Sequence, residues 1–140
     1  MTCRLVAIDP DTQLREVWGD VREGLNDILN KGNYTWLPED VYFAIKNRSS
    51  VLLVGIADNR FSGFIIISIN KGFDGLEGNI WCAYNIGKSE YINKLWPEIT
   101  GFCRAAGCKR VTMSSNRPGW AKLGAKLGLE PVQTLYSTEI

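Results

Sequence analysis

The chain has 140 residues, 45% of them hydrophobic and 22% charged, the proportions of one ordinary globular domain of about 100–150 residues. Sixteen basic against fifteen acidic residues leave +1, which excludes bulk electrostatic recruitment by nucleic acid or an anionic membrane. Histidine is absent, so Ser-His-Asp and Cys-His nucleophile systems, histidine bases and histidine-ligated metals are excluded within the chain.

Leu5 to Ile8 reads as a first strand ended by Asp9-Pro10-Asp11. Asp11 or Thr12 then offers an N-cap for a helix whose apolar stripe runs Leu14, Val17, Trp18, Val21, Leu25, Ile28, Leu29 and stops at Lys31-Gly32-Asn33. A shorter helix is expected from Pro38 to Asn47, with Glu39 and Asp40 at its positive end. From Ser50 the period changes. Val51–Ala57 and Phe61–Asn70 flank Asp58-Asn59-Arg60 as an antiparallel hairpin, apolar on both faces and so expected to lie between helices. Gly78–Tyr84 continues the meander. Ile92, Leu95, Trp96, Ile99, Phe102, Cys103 and Ala106 mark a long helix, with Ser89 as cap, Gly107 as stop and Pro97 as a kink or true start. Lys109–Ser114 is a strand, and a compact helix from Trp120 to Leu127 ends at Gly128. Val132, Thr134, Tyr136, Thr138 and Ile140 alternate as a closing strand.

One α+β domain over residues 1–140 follows, a mixed, mostly antiparallel sheet flanked by helices on both faces. Cys3, Cys82, Cys103 and Cys108 lack the paired C-x2-4-C knuckles of a zinc site and read as reduced, mostly buried thiols; no metal is expected. Met1–Pro10 has no secretory-signal pattern, and the longest apolar run, Phe64–Ile69, is far below the ~20 residues that span a bilayer. A cytoplasmic protein without membrane attachment is expected.

The element order, with Ala106-Gly107-Cys108-Lys109-Arg110-Val111 closing the long helix, resembles the GCN5-related N-acetyltransferase (GNAT) fold. The likeness covers nearly the whole chain in element order and is concentrated in the last 55 residues, where Asn116 opens the next loop and Gly128-Leu129 follows the short helix. Arg117-Pro118-Gly119-Trp120 is closer to small GNAT-like proteins of bacteriophages, which implies a host cytoplasm or virion location.

The resemblance implies acetyl-CoA or another acyl-CoA as cofactor. Its pantetheine arm would follow Trp81, Cys82 and Ala83 on the fourth strand, and its pyrophosphate would meet Gly87, Lys88 and Ser89 at the long helix, with Asn116 opposite. Departures from the family pattern stand beside this. Glu90 and Ile92 occupy positions where the family has glycine, and Gly124 stands where it often has a tyrosine as general acid. The resemblance leaves Glu77, directly or through water, as base and Tyr84 as a substitute acid, and it places Tyr34 and Trp36 beside the acceptor. Each has a plainer reading: the aromatics as loop and core packing, Lys88 and Ser89 as a helix cap, Asn116 as a turn residue.

Two functions remain open. One is an N-acyltransferase acting on a small-molecule or protein amine. The other is a non-catalytic GNAT-like scaffold that binds a protein partner, such as a phage virion or host-interaction protein. Neither involves a membrane, and nucleic acid is not expected.

Overall fold

The computed structural model describes residues 3–86, 89–115 and 118–140, with the backbone alone for Ser89, Glu90 and Pro118. Strand β1 (Cys3–Ala7) leads into an Asp9 turn, and helix α1 spans Leu14–Leu29. The expected caps Asp11 and Thr12 do not cap it. Gln13 holds that position without a side-chain bond to the helix, its Oε1 accepting from the Asp9 N–H instead, while the Asp9 carboxylate accepts from the Asp11 N–H and the Thr12 hydroxyl. Those bonds, the Asp11 amide first, hold the Asp9 pKa below the ordinary carboxylate value. Helix α2 (Pro38–Lys46) starts with proline, which has no N–H to leave unsatisfied, and the Asp40 carboxylate accepts from the Leu37 N–H at 2.8 Å.

β2 (Ser50–Ala57) and β3 (Arg60–Lys71) form the expected hairpin. Asp58 and Asn59 both take left-handed φ, 52° and 62°, the two-residue turn whose twist matches paired strands. β4 (Leu76–Tyr84) completes the meander, α3 (Ser89–Ala105) crosses over, and β5 (Cys108–Met113) lies parallel to β4. The sheet order is β1-β2-β3-β4-β5. Pro97 neither starts nor ends α3, which runs through it; both Pro97 and Asn93, whose carbonyl loses its donor, face solvent. Gly107 and Gly128 terminate α3 and the last helix, α4 (Pro118–Lys126), with left-handed φ of 88° and 84°.

Two cores sandwich the sheet, as its two-faced apolar strands require. Leu14, Val21, Leu25 and Ile28 of α1 and Val41 and Ile45 of α2 cover Leu52, Val54, Phe64, Ile66 and Cys82. On the opposite face Ile92, Leu95, Ile99 and Cys103 of α3 cover Leu53, Ile65, Ile67 and Ile80, with Leu123 and Leu127, in and just after the last helix, at the margin. Trp18 and Trp96 are half-buried flanks of these cores rather than fully buried residues.

The closing strand is absent: residues 129–140 form no helix or strand. Alternation supplies a strand pattern but not a partner, and Val132, Leu135, Tyr136 and Ile140 stand exposed.

Candidate functional site

The site begins where β4 and β5 part. β5 pairs only with the first half of β4, from Leu76↔Cys108 to Ile80↔Met113. β4 nevertheless continues through Trp81, Cys82, Ala83 and Tyr84, held on its other side by β3, with Ile66↔Cys82, Ile65↔Ala83 and Phe64↔Tyr84. Four consecutive residues therefore have no β5 partner, and the parallel pair opens into a wedge. Alternate peptide groups along such a stretch turn toward the vacated side.

A β-bulge sets the stretch apart. The β3 register jumps from Ile66↔Cys82 to Ile67↔Ile80, leaving Trp81 as the extra residue. Trp81 and Cys82 consequently both pack on the α1/α2 core, whereas Ile80 and Ala83 belong to the α3 face. Trp81 meets the Trp36 ring edge-on at 5.7 Å, and Trp36 meets Tyr34 at 5.5 Å. The structure thus brings Tyr34 and Trp36, from the α1–α2 loop, onto the bulge beside the open edge. Tyr34 stands at the exposed end of the row and Trp36 is half-buried.

At the far end of the stretch the Tyr84 ring stacks on Phe64 at 5.6 Å and lies over Gly24 of α1, where a Cβ would come within 2.6 Å of Phe64 and 2.8 Å of Tyr84. Its hydroxyl donates to Asp27 Oδ2 at 2.5 Å. That bond, with lesser contributions from burial and the charges of Asp27 and Glu23, raises the Tyr84 pKa, so the phenol keeps its proton. Cys82 is a different case: burial pushes its thiol up to about 12, and it acts as a small apolar core residue. Asn85 then takes a left-handed φ of 59°, and the Ile86 N–H donates to the Tyr84 carbonyl. This sharp turn buries Ile86 under α3 and leads toward the start of that helix, whose first N–H groups have no acceptor within the helix.

Glu77 lies elsewhere. It sits in the paired half of β4, where its Oε1 accepts from Arg110 Nη1 at 2.6 Å, while Arg110 also pairs with Asp74. The shared guanidinium holds the Asp74 pKa below the ordinary carboxylate value, and the two carboxylates raise that of Arg110. Six residues of extended strand lie between Glu77 and Tyr84, a span of roughly 20 Å, so these two candidates do not share one reacting centre.

Gly87, Lys88 and Asn116 lie outside the described residues, as do the side chains of Ser89 and Glu90. Ile92 packs into the core with Leu95 and Ile99, and forms no wall on the solvent side of the helix start. Gly124 is buried, and a Cβ there would touch Leu129 at 3.5 Å.

Asp27 and Arg110 escaped the sequence reading. A glycine inside the α1 stripe was the available sign for Asp27: Gly24 costs helix stability unless something presses on it, and residue 27 lies one turn beyond. Arg110 stood beside Lys109 at the start of the strand with nothing in the sequence to mark Asp74 and Glu77 as its partners. Among the described residues no cluster of three or more Cys, Asp or Glu could hold a metal ion, and no helix is long and apolar enough to cross a membrane. A polar concavity of about 330 Å3 between Pro10 and Lys46 is lined from the outer ends of α1 and α2, away from the wedge.

No protein-family model matches the sequence, and no curated protein does. Solved structures do. A ribosomal-protein-alanine N-acetyltransferase from Brucella melitensis superposes with a TM-score of 0.73 at 12% identity, covering 99% of each chain. A GNAT family acetyltransferase from Staphylococcus aureus gives 0.69 at 14% identity over all of both chains. A predicted acetyltransferase from Clostridium acetobutylicum with acetyl-CoA gives 0.69 at 10% identity, over 99% of this chain and 96% of that one. At these identities the likeness is one of architecture, and the architecture is that of the GCN5-related N-acetyltransferases.

Proposed function

We propose that the protein is an acyl-CoA-dependent N-acyltransferase that moves an acetyl or other acyl group to an amine of a small molecule or protein. The observation that carries this reading is the continuation of β4 through Trp81–Tyr84 after β5 has left it. An exposed strand edge pairs with an extended chain bearing amides, which describes a pantetheine arm. Bound there, acetyl-CoA would supply an acyl group activated as a thioester.

The chain's own residues divide the remaining work. Backbone N–H groups of the open edge align the arm and polarise the carbonyl oxygen. The amides opening α3, together with Gly87, Lys88 and Ser89, hold the pyrophosphate, and Asn116 serves from the loop after β5. Tyr34 and Trp36 present an aromatic wall to the acceptor. Cys82 and Tyr84 are the titratable side chains of the open stretch, and Cys82 is locked in its thiol form. Proton handling therefore falls to Tyr84: its oxygen takes a proton from the acceptor ammonium as its own proton passes to Asp27, and the second proton that the nitrogen loses on acylation leaves on the CoA sulfur as free thiol. Glu77 belongs to the Arg110 clamp that ties β4 to β5 below the wedge.

A second reading, a binding scaffold with the fold and no catalysis, is favoured by Glu90 and Gly124, which stand where the family has a glycine and a tyrosine. Incubation with acetyl-CoA and a panel of polyamines, amino sugars and peptide N-termini separates the two. Amine-dependent appearance of free CoA thiol supports transfer. Acetyl-CoA binding without thiol release for any amine supports the scaffold.

A further inference from the structure

Helix α3 ends on a glycine turn. Gly107 takes a left-handed φ of 88°, and its N–H donates to the Arg104 carbonyl at 3.0 Å. At a helix end of this kind the residue after the glycine commonly meets one on the last turn, and here those two residues are Cys108 and Cys103. β4 makes room for them with a second glycine. A Cβ at Gly78 would lie 2.7 Å from the Cys103 Sγ and 3.6 Å from the Cys108 Sγ, so both sulfurs converge on one point of the sheet. The two thiols also act on each other: burial first, and the charge of Cys108 second, push the Cys103 thiol up to about 11. From the convergence of the sulfurs we infer that Cys103 and Cys108 form a thiol–disulfide exchange site, which takes an anionic small-molecule disulfide and closes into an internal Cys103–Cys108 bond.

The surroundings divide the roles. Both cysteines line a groove of about 280 Å3 whose charged lining residues are Arg104, Lys109 and Arg110, all cationic. Asp74 and Glu77 are paired with Arg110, which leaves Arg104 and Lys109 to draw in a disulfide that bears carboxylates. Cys108 is half-buried and Cys103 fully buried, so the Cys108 thiolate attacks first. It bonds to one sulfur of the external disulfide and expels the other half as a thiolate. The Cys103 thiolate then attacks the Cys108 sulfur, and the second half leaves in the same way. Two protein thiols are oxidised, one external disulfide is reduced to two thiols, and the protons of the protein thiols pass to the departing thiolates. Cys103 has little thiolate to offer, but it is held against its target, and position offsets that scarcity. The remaining cysteines lie elsewhere. Cys82 is sealed in the α1/α2 core on the other face of the sheet. Cys3 sits beside Ser62 near the start of β3, whereas Gly78 pairs with Ile69 near its end. This exchange is independent of acyl transfer.

Peptide mapping of the full chain tests it. The folded protein is incubated with glutathione disulfide near neutral pH, its remaining thiols are alkylated in denaturant, and it is digested with trypsin without reduction. Cleavage after Arg104 and Lys109 separates the two cysteines into peptides 95–104 and 105–109, so an internal bond appears as a covalent pair of these two. That pair is the expected product. Cys103→Ser is expected to stop with one glutathione held on Cys108, and Cys108→Ser to leave Cys103 unmodified. Arg104→Met/Lys109→Met, at two exposed positions, is expected to slow the reaction with glutathione disulfide several-fold and to leave that with neutral hydroxyethyl disulfide unchanged. Equal rates of loss with both reagents, or no slowing with either, would overturn the anionic ligand class. Glutathione retained on Cys108 of the full chain, both thiols left free, or a bond from either one to Cys3 or Cys82 would overturn the inference itself. Those results are read on the unaltered protein, so they decide the matter whether or not the cysteine variants fold.

Discussion

Tyr84 and Asp27 are 57 residues apart in sequence and 2.5 Å apart in space. The bond stabilises the neutral phenol, so the folded pKa of Tyr84 exceeds the unfolded value near 10. Its contribution to stability is present below that unfolded value and is lost as pH rises through the folded one. Ultraviolet titration should show a tyrosine ionising later than free tyrosine, and Asp27→Asn should bring it back toward the ordinary range; an unchanged titration would contradict the pairing. If the enzyme reading holds, Tyr84→Phe should lower kcat by about 100-fold, the usual scale of a positioned proton-transfer group, with acetyl-CoA affinity retained. Glu77→Gln should change kcat only a few-fold. At the other end of β4 the sign is reversed. Asp74 has a depressed pKa in the folded state, so its pairing with Arg110 stabilises above the unfolded value near 3.8 and fades as pH falls through the lower folded one. Arg110→Met should therefore flatten the acid limb of the stability–pH curve, measured by urea unfolding.

At the scale of elements, the hairpin and the helix stripes were legible because their signals are local. Asp58-Asn59 is turn chemistry between apolar runs, and Ile92, Leu95, Ile99 and Cys103 repeat at helical spacing. The wedge was legible only by resemblance. No residue of β4 announces that Trp81 is a bulge, because a bulge is a relation between β4 and the register of β3. The closing strand failed for the same reason in reverse: its pattern is correct for a strand, but pairing is decided by which edge is available. Of the site calls, Tyr34, Trp36 and Trp81 do meet, while Glu77 and Tyr84 do not, since sequence proximity on one strand is distance in space. Gly24 gives this scale its own test. Gly24→Ala places a methyl against the buried Phe64 ring and the half-buried Tyr84 ring and should cost about 1–3 kcal/mol in chemical denaturation; a neutral effect would mean the Phe64–Tyr84 stack is not pressed on α1. Trp36→Ala should raise the KM for the amine and leave acetyl-CoA affinity unchanged.

For the molecule as a whole, two cores hold a sheet whose middle is buried on both faces and whose fourth and fifth strands diverge toward one end. The divergence leaves Trp81–Tyr84 without partners on β5 in the midst of well-packed elements, an arrangement suited to a ligand that completes the sheet. In the proposed function acetyl-CoA is that ligand, and hydrogen exchange with and without saturating acetyl-CoA decides it. Slowed exchange is expected at alternate amides of Trp81–Tyr84 and in the first turn of α3, with the paired residues Leu76–Ile80 unchanged. Exchange that stays the same at Trp81–Tyr84, or slows only around Pro10–Lys46, would contradict it.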